Sequence, residues 1–345
     1  ETLVHVFNPG PRTDGFETPH TCVLVVTDDM PFLLDSLGMA FEAAAVGVHL
    51  IVHPVLLARR DASGRLRALG MAASSAVPRE SWQFFEIDRQ ADASACAALV
   101  DRLRRSLHDV ALAVRDWMPM RQRMQAVAAT LRVPPRGAVR SEFAEPRALL
   151  EWMESGQFVF LGYRHYRLLR ARASDVLRAD TRSGLGILRA SAAHTAAAPY
   201  RLTGAVRKLA RAPHPLVLTK ATAVSTVHRT AYLDYVGVKA FDRTGRVIGE
   251  HRFLGLWTST AYHRSPREIP LLRRKVVQAV AHFGLASHSH DAKAVVNVFE
   301  TYPRDELFQA SVPELVRIAR AVVNLYERRT VRLLLRDDPF GRFRS

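Results

Sequence analysis

Apolar positions are densest between Leu216 and Tyr262, where β-branched and aromatic runs follow one another with little between them. Asp242-Arg243-Thr244-Gly245 separates two of these runs, and that residue mix reads as a hairpin tip. Before it, Tyr235 to Phe241 has strand composition. After it, Arg246 to Trp257 approaches polar–apolar alternation, as in a sheet with one face in water. The pattern predicts an antiparallel meander.

Nearer the start, Leu3 to Phe7 reads as a short strand and Thr21 to Val26 as a continuous apolar one. Phe32, Leu33, Leu37, Ala40, Phe41 and Ala44 then recur at helical spacing, with Asp28 or Asp29 as the expected cap, Pro31 in the first turn and Gly47 as the stop. His49 to Ala58, Leu66 to Ala72 and Ser81 to Ile87 are the next strands. Asp92 to about Val114 is an amphipathic helix burying Leu99, Leu103, Leu107 and Val110. This is the order of a βαββαβ sandwich lacking its last strand, a place that Leu3 to Phe7 can fill. Leu3–Phe7 and Ser81–Ile87 are the expected sheet edges.

Trp117 to Leu131 is helical, and Val133-Pro134-Pro135-Arg136-Gly137 breaks it, so a first domain is placed at 1–132. A helix from Glu145 to Ser155 and a strand from Phe158 to Tyr166 open a second antiparallel-sheet module at 133–262, interrupted by a loop-rich stretch at 171–215. Ser265-Pro266-Arg267-Glu268 is a capping box ahead of a helix showing Ile269, Leu272, Val276, Val280 and Phe283 on one face. Asp291–Phe299 and Val312–Tyr326 are further helices, giving connecting helices at 263–330. Val331 to Leu335 is expected to open a third, truncated module at 331–345. The fold class is α+β.

The blocks Val26-Thr27-Asp28-Asp29-Met30-Pro31-Phe32-Leu33-Leu34-Asp35-Ser36, Phe160-Leu161-Gly162-Tyr163, Leu216 to Tyr262, and Phe299 to Gln309 recur in order along nearly the whole chain. Together they resemble the N-terminal regulatory half of the very large bacterial NAD-dependent glutamate dehydrogenases. The resemblance implies ACT-type regulatory modules here, with the dinucleotide-binding catalytic domain further along the polypeptide. It implies a parent reaction that converts L-glutamate, NAD and water to 2-oxoglutarate, ammonium and NADH. NAD is then the parent enzyme's cofactor, with none expected in this chain. The partners implied are the chain's own catalytic domain, other copies of the chain and an amino-acid effector. A free-standing ACT-type effector-binding or assembly protein is the alternative.

Composition narrows these readings. With 345 residues, 48% hydrophobic and 24% charged, the chain has room for two or three domains with real cores. It begins with Glu and stops just after a strand-like run, so both ends are expected to be cut from something larger. Two cysteines, Cys22 and Cys96, are too few for a disulfide framework and favour buried thiols in a cytoplasmic protein. The net charge of +16 raises nucleic-acid binding, but the arginines are scattered and no aromatic residues interleave with them. No apolar run has membrane-spanning length.

Chemistry-bearing constellations are few. No Gly-x-Gly-x-x-Gly follows a strand and no Walker-type loop is present, so no catalytic or cofactor site is expected. His288-Ser289-His290-Asp291 has the wrong spacing for a metal and suits a helix start. Asp28, Asp29 and Met30 form the strand-to-helix corner. It is either a plain cap or an amino-acid effector site, with free helix N–H groups for an α-carboxylate and acids for an ammonium or guanidinium. Arg304, Asp305 and Glu306 stand beside Phe299, Tyr302 and Phe308. They read either as a solvated loop or as an interdomain contact in which Arg304 pairs with a neighbouring module.

Overall fold

The computed structural model describes residues 2–70, 79–189, 200–285, 289–326 and 330–335. Two compact units emerge, one of residues 1–115 with Ser225–Ala231, the other of Asp116–Val224 with the chain from Tyr232 onward.

The first unit comprises β1 (Leu3–Phe7), β2 (Thr21–Asp28), α1 (Leu33–Glu42), β3 (Val48–Val52), β4 (Val55–Arg60), β5 (Leu66–Gly70), β6 (Arg79–Ile87) and α2 (Ala93–Arg115). The strands form an antiparallel sheet in the order β1-β2-β6-β4-β5, with β3 also on β6. β1 lies beside β2 in register Leu3–Val26 to Phe7–Cys22, filling the place of the missing last strand. Val23, Val25, Phe85 and Ile87 are buried, as are Leu37 and Phe41 of α1 and Leu103 and Val110 of α2. Two helices thus cover one sheet face, the ACT-like α+β arrangement the strand–helix order predicts.

Three local expectations fail here. His49 to Ala58 is two strands, because Pro54 has no N–H to give the ladder. Its carbonyl accepts from Trp82 N at 3.0 Å instead. β6 is not an edge: it pairs with β2, β3 and β4. Among the described residues β3 pairs only with β6, and Val48, Leu50, Ile51 and Val52 are 38–49% exposed. Nor does Asp28 or Asp29 cap α1, whose N-cap is Phe32 in the left-handed region at φ 73°, with no side-chain hydrogen bond.

The second unit comprises α3 (Trp117–Thr130), α4 (Arg140–Trp152), β7 (Phe158–Leu169), β8 (Asp175–Ala179), β9 (Leu185–Gly186), β10 (Tyr200–Leu202), α5 (Gly204–Arg211), β11 (Leu216–Val224), β12 (Tyr232–Phe241), β13 (Val247–Trp257), α6 (Ser259–His263), α7 (Leu272–Ala281), α8 (His290–Thr301), α9 (Arg304–Gln309) and α10 (Val312–Tyr326). The meander from Leu216 to Trp257 forms as its pattern predicts, inside a sheet ordered β10-β8-β7-β13-β12-β11 with β9 on β7. One core joins Met120 and Met124 of α3, Leu149 of α4, Phe158, Phe160 and Phe253 of the sheet, and Leu272, Val295, Phe299 and Leu315 of the later helices. The helix at Trp117 therefore packs here and not with a first domain ending at 132. The segments at 133–262 and 263–330 likewise share this core.

The stretch at 171–215 is more ordered than its weak periodicity suggests. Fully buried Asp175 receives Arg207 at 3.2 Å and Arg211 at 2.6 Å, which fastens α5 to β8. The capping-box expectation also fails: Ser265 Oγ donates to Glu300 at 2.8 Å, and the helix begins only at Leu272, after Leu271 at φ 72°. Ser289 does cap α8, accepting from Ala292 N at 3.1 Å. Residues 331–335 adopt no strand, and Val331 and Leu333 are largely exposed. His288, Ala72 and the expected third module beyond Leu335 lie outside the described residues.

Candidate functional site

In the first unit, β1, β2 and β6 and the hairpin of β4 and β5 bound a cleft of about 1290 Å³. Leu3, Leu24, Val26 and Trp82 supply apolar walls, and Asp28, at the end of β2, stands in it with Arg59 and Arg104. Its side wall is a built polar pair. Arg60 Nε and Nη2 donate to the Glu80 carboxylate at 2.6 and 2.9 Å, and Trp82 Nε1 donates to the same carboxylate at 3.1 Å. The guanidinium holds the Glu80 carboxyl below its usual range, although burial opposes this. An acid, two arginines not bound to that pair and an apolar floor together suit a zwitterion with an apolar portion.

Of the three corner residues only Asp28 lines this cleft. Asp29 faces Arg79 at 3.6 Å, and Met30 is half-buried. The sequence reading missed what stands over the start of α1. His228, of the segment Ser225–Ala231, donates its backbone N–H to Ser36 Oγ at 3.2 Å, places its ring 4.9 Å from Phe32, and brings Nδ1 to 3.6 Å from Asp35. Phe32 and His228 are both at positive φ, a strained conformation for side chains of that size. No local signal marks a meeting of residues so distant in sequence. Burial pushes both thiols up, that of buried Cys22 and that of half-buried Cys96.

In the second unit the charged trio from Arg304 to Glu306 separates. Arg304 is buried and donates to the backbone carbonyls of Arg264, Phe299, Glu300 and Tyr302, closing the end of α8. Half-buried Asp305 joins an ionic joint around buried Asp234. Lys220 of β11 contacts Asp305 at 3.0 Å and Asp234 of β12 at 2.6 Å. Tyr262 donates its hydroxyl to Asp305, and Trp257 N donates to Asp234 at 3.1 Å. Burial pushes the Asp234 carboxyl up to about 7, and the Asp305 charge adds to this, while Lys220 opposes it. Glu306 is half-buried, its carbonyl accepting from Ala310 N. Among the described residues no group of three or more His, Cys, Asp or Glu is arranged to hold a metal ion. No helix among them is long and apolar enough to cross a membrane.

Residues 1–103 match the ACT1 domain of glutamate dehydrogenase, and residues 269–328 match helical motif 1 of glutamate dehydrogenase. Along nearly its whole length the chain is similar to NAD-specific glutamate dehydrogenases. It is 35% identical over 342 residues to the NAD-specific glutamate dehydrogenase of Pseudomonas aeruginosa and 33% identical over 347 residues to that of Halomonas elongata. Each match covers 99% of this chain. The Mycobacterium tuberculosis relative of the same name is 28% identical over 93% of the chain. The chain spans 19–22% of these relatives' lengths.

Proposed function

We propose that this chain is the regulatory and assembly portion of an NAD-dependent glutamate dehydrogenase. The parent oxidises L-glutamate to 2-oxoglutarate and ammonium in the cytoplasm, with NAD bound by a catalytic domain outside these residues. The observation that carries the reading is a match along 99% of the chain to relatives of that name, together with an ACT1 domain at its start. In this reading the first unit takes an amino-acid effector in the cleft beside Asp28, with Arg59 or Arg104 on its carboxylate and Asp28 on its ammonium. The exposed apolar strand β3 pairs with another copy of the chain, since an open edge of that kind is a template for a further strand.

A thermal-shift screen of the twenty amino acids tests the effector. At a hundredfold excess over its dissociation constant the right one adds about 2.7 kcal/mol to the folded state. Because neither acid caps α1, Asp28→Asn and Asp29→Asn should melt near wild type without ligand. Asp28→Asn should then lose the ligand shift, and Asp29→Asn should keep most of it. A screen in which no amino acid moves the melting temperature, or in which Asp28→Asn responds like wild type, rejects the site.

A further inference from the structure

The outer edge of β11, the ends of α5 and α9, and parts of α4, α7 and α10 line a second cavity of about 550 Å³ in the second unit. That volume lies within the range of small-ligand pockets, roughly 300–1000 Å³. Leu216, Leu218, Leu271, Phe308 and Val312 make an apolar wall. At the rim the charges answer one another: exposed Glu142 stands with exposed Arg274, and Glu145 is gripped by Arg273 at 2.8 Å.

Deeper in, the balance is broken. Lys239 lines the cavity and is only 4% exposed. Its ammonium donates to the carbonyls of Leu209 and of Ala212, the latter at 2.8 Å, at the end of α5. Among the described residues no carboxylate lies within ion-pair distance of it, Glu250 acting only through its more distant charge. A helix C-terminus carries at most about half a negative charge, and α5 is short, so the helix end leaves at least about half of the Lys239 charge unanswered. Lys275, whose ammonium donates to the carbonyls of Leu307, Phe308 and Ala310, lines the same cavity. A buried cation with so little counter-charge is costly, and a ligand anion would relieve that cost.

We propose that this cavity binds a monocarboxylate with an apolar tail and no amino group, a 2-oxo acid or short fatty acid, its carboxylate on Lys239 and its tail against Leu216, Leu218 and Phe308. An ammonium would be repelled by the buried Lys239 charge, so free amino acids are disfavoured at this site. It is thus independent of the cleft in the first unit. Burial already lowers the Lys239 ammonium to about 8, and an arriving carboxylate stabilises its charged form.

Calorimetric titration of the full chain with hexanoate, 2-oxohexanoate, 2-aminohexanoate and hexylamine tests this. The two acids without an amino group should bind, 2-aminohexanoate should bind at least about tenfold more weakly, and hexylamine should give no heat. Lys239→Met should weaken hexanoate at least about tenfold. Should that variant fold poorly, Val312→Trp fills the cavity from its half-buried rim, leaves Lys239 in place, and should abolish binding. Lysine side-chain NMR should show the Lys239 titration moving upward with hexanoate. No binding of hexanoate up to about 10 mM overturns the proposal, as does equal binding of hexylamine or an undiminished affinity in both variants.

Discussion

Replacing Lys220 by Met tests the ionic joint of the second unit. Lys220 lies 2.6 Å from Asp234 and 3.0 Å from Asp305, and Asp234 is 4% exposed. Burial works against the Lys220 charge, but the two carboxylates outweigh it and hold its pKa above the usual lysine value. Removing one partner of a buried pair costs roughly 3–5 kcal/mol. The deficit should depend on pH. Asp234 has a folded pKa above its unfolded 3.8, so the folded state binds the extra proton and stability falls as pH rises from about 3.8 to about 7. Without Lys220 that pKa climbs further, and the fall continues above 7 by about 1.4 kcal/mol per pH unit. The deficit of Lys220→Met should therefore be small at pH 5 and grow by about 1.4 kcal/mol between pH 7 and pH 8, lowering the melting temperature at pH 8 by on the order of 4 °C. Lys220→Met with Asp234→Asn should recover much of it, since the uncompensated carboxyl is then gone. Urea unfolding at both pH values reads these quantities. A loss under about 1 kcal/mol at pH 8, or an equal loss at pH 5, would refute the assignment of a charged joint.

Two further outcomes follow from the same unit. At Gly255 a Cβ would overlap the Val159 carbonyl oxygen and come within 2.8 Å of Phe158 Cζ, so Gly255→Ala should cost at least about 2 kcal/mol in urea unfolding by forcing β13 from β7. His251 is lowered to about 4 by burial and by the charges of His165 and Arg123, and its Nδ1 meets the Tyr163 hydroxyl at 2.9 Å. A depressed histidine adds stability as pH rises from about 4 to 6.5, up to roughly 3 kcal/mol, and His251→Gln should flatten that limb of the pH–stability curve.

The meander was legible because alternation and the Asp242–Gly245 tip are local signals, and the tip forms as expected, with Arg246 N donating to Asp242 at 3.0 Å. α10 was legible to the residue, from Val312 to Tyr326, because its apolar stripe is continuous. Capping signals misled twice. Asp28-Asp29 and Ser265 are polar residues ahead of apolar periods, but Asp29 is engaged by Arg79 and Ser265 by Glu300, both distant in sequence. The interior of 171–215 was hidden for a related reason: its elements are short, and ion pairs to Asp175 hold α5 in place where periodicity is weak. Asp28 was singled out as part of the strand-to-helix corner, whereas the arginines that line the cleft with it come from the β4–β5 hairpin and α2. Lys239 looked like an ordinary strand lysine, since nothing in its neighbours foretells α5 lying over it.

The segment Ser225–Ala231 has a consequence for how the protein is made. Thr226 Oγ1 donates at 2.8 Å to Asp109, a carboxylate buried within α2, and His228 closes over Ser36 of α1. The first unit is thus discontinuous in the gene. A nascent chain that has emerged only through Arg115 holds every strand and helix of this unit, but it has an inward-facing acid still without its hydroxyl. It can collapse early yet cannot finish until the β11–β12 loop has been translated, and bringing that loop home closes a long detour of chain. A fragment cut after α2 should accordingly behave as a loosened version of the same sandwich, and supplying a peptide spanning Ser225 to Ala231 should tighten it.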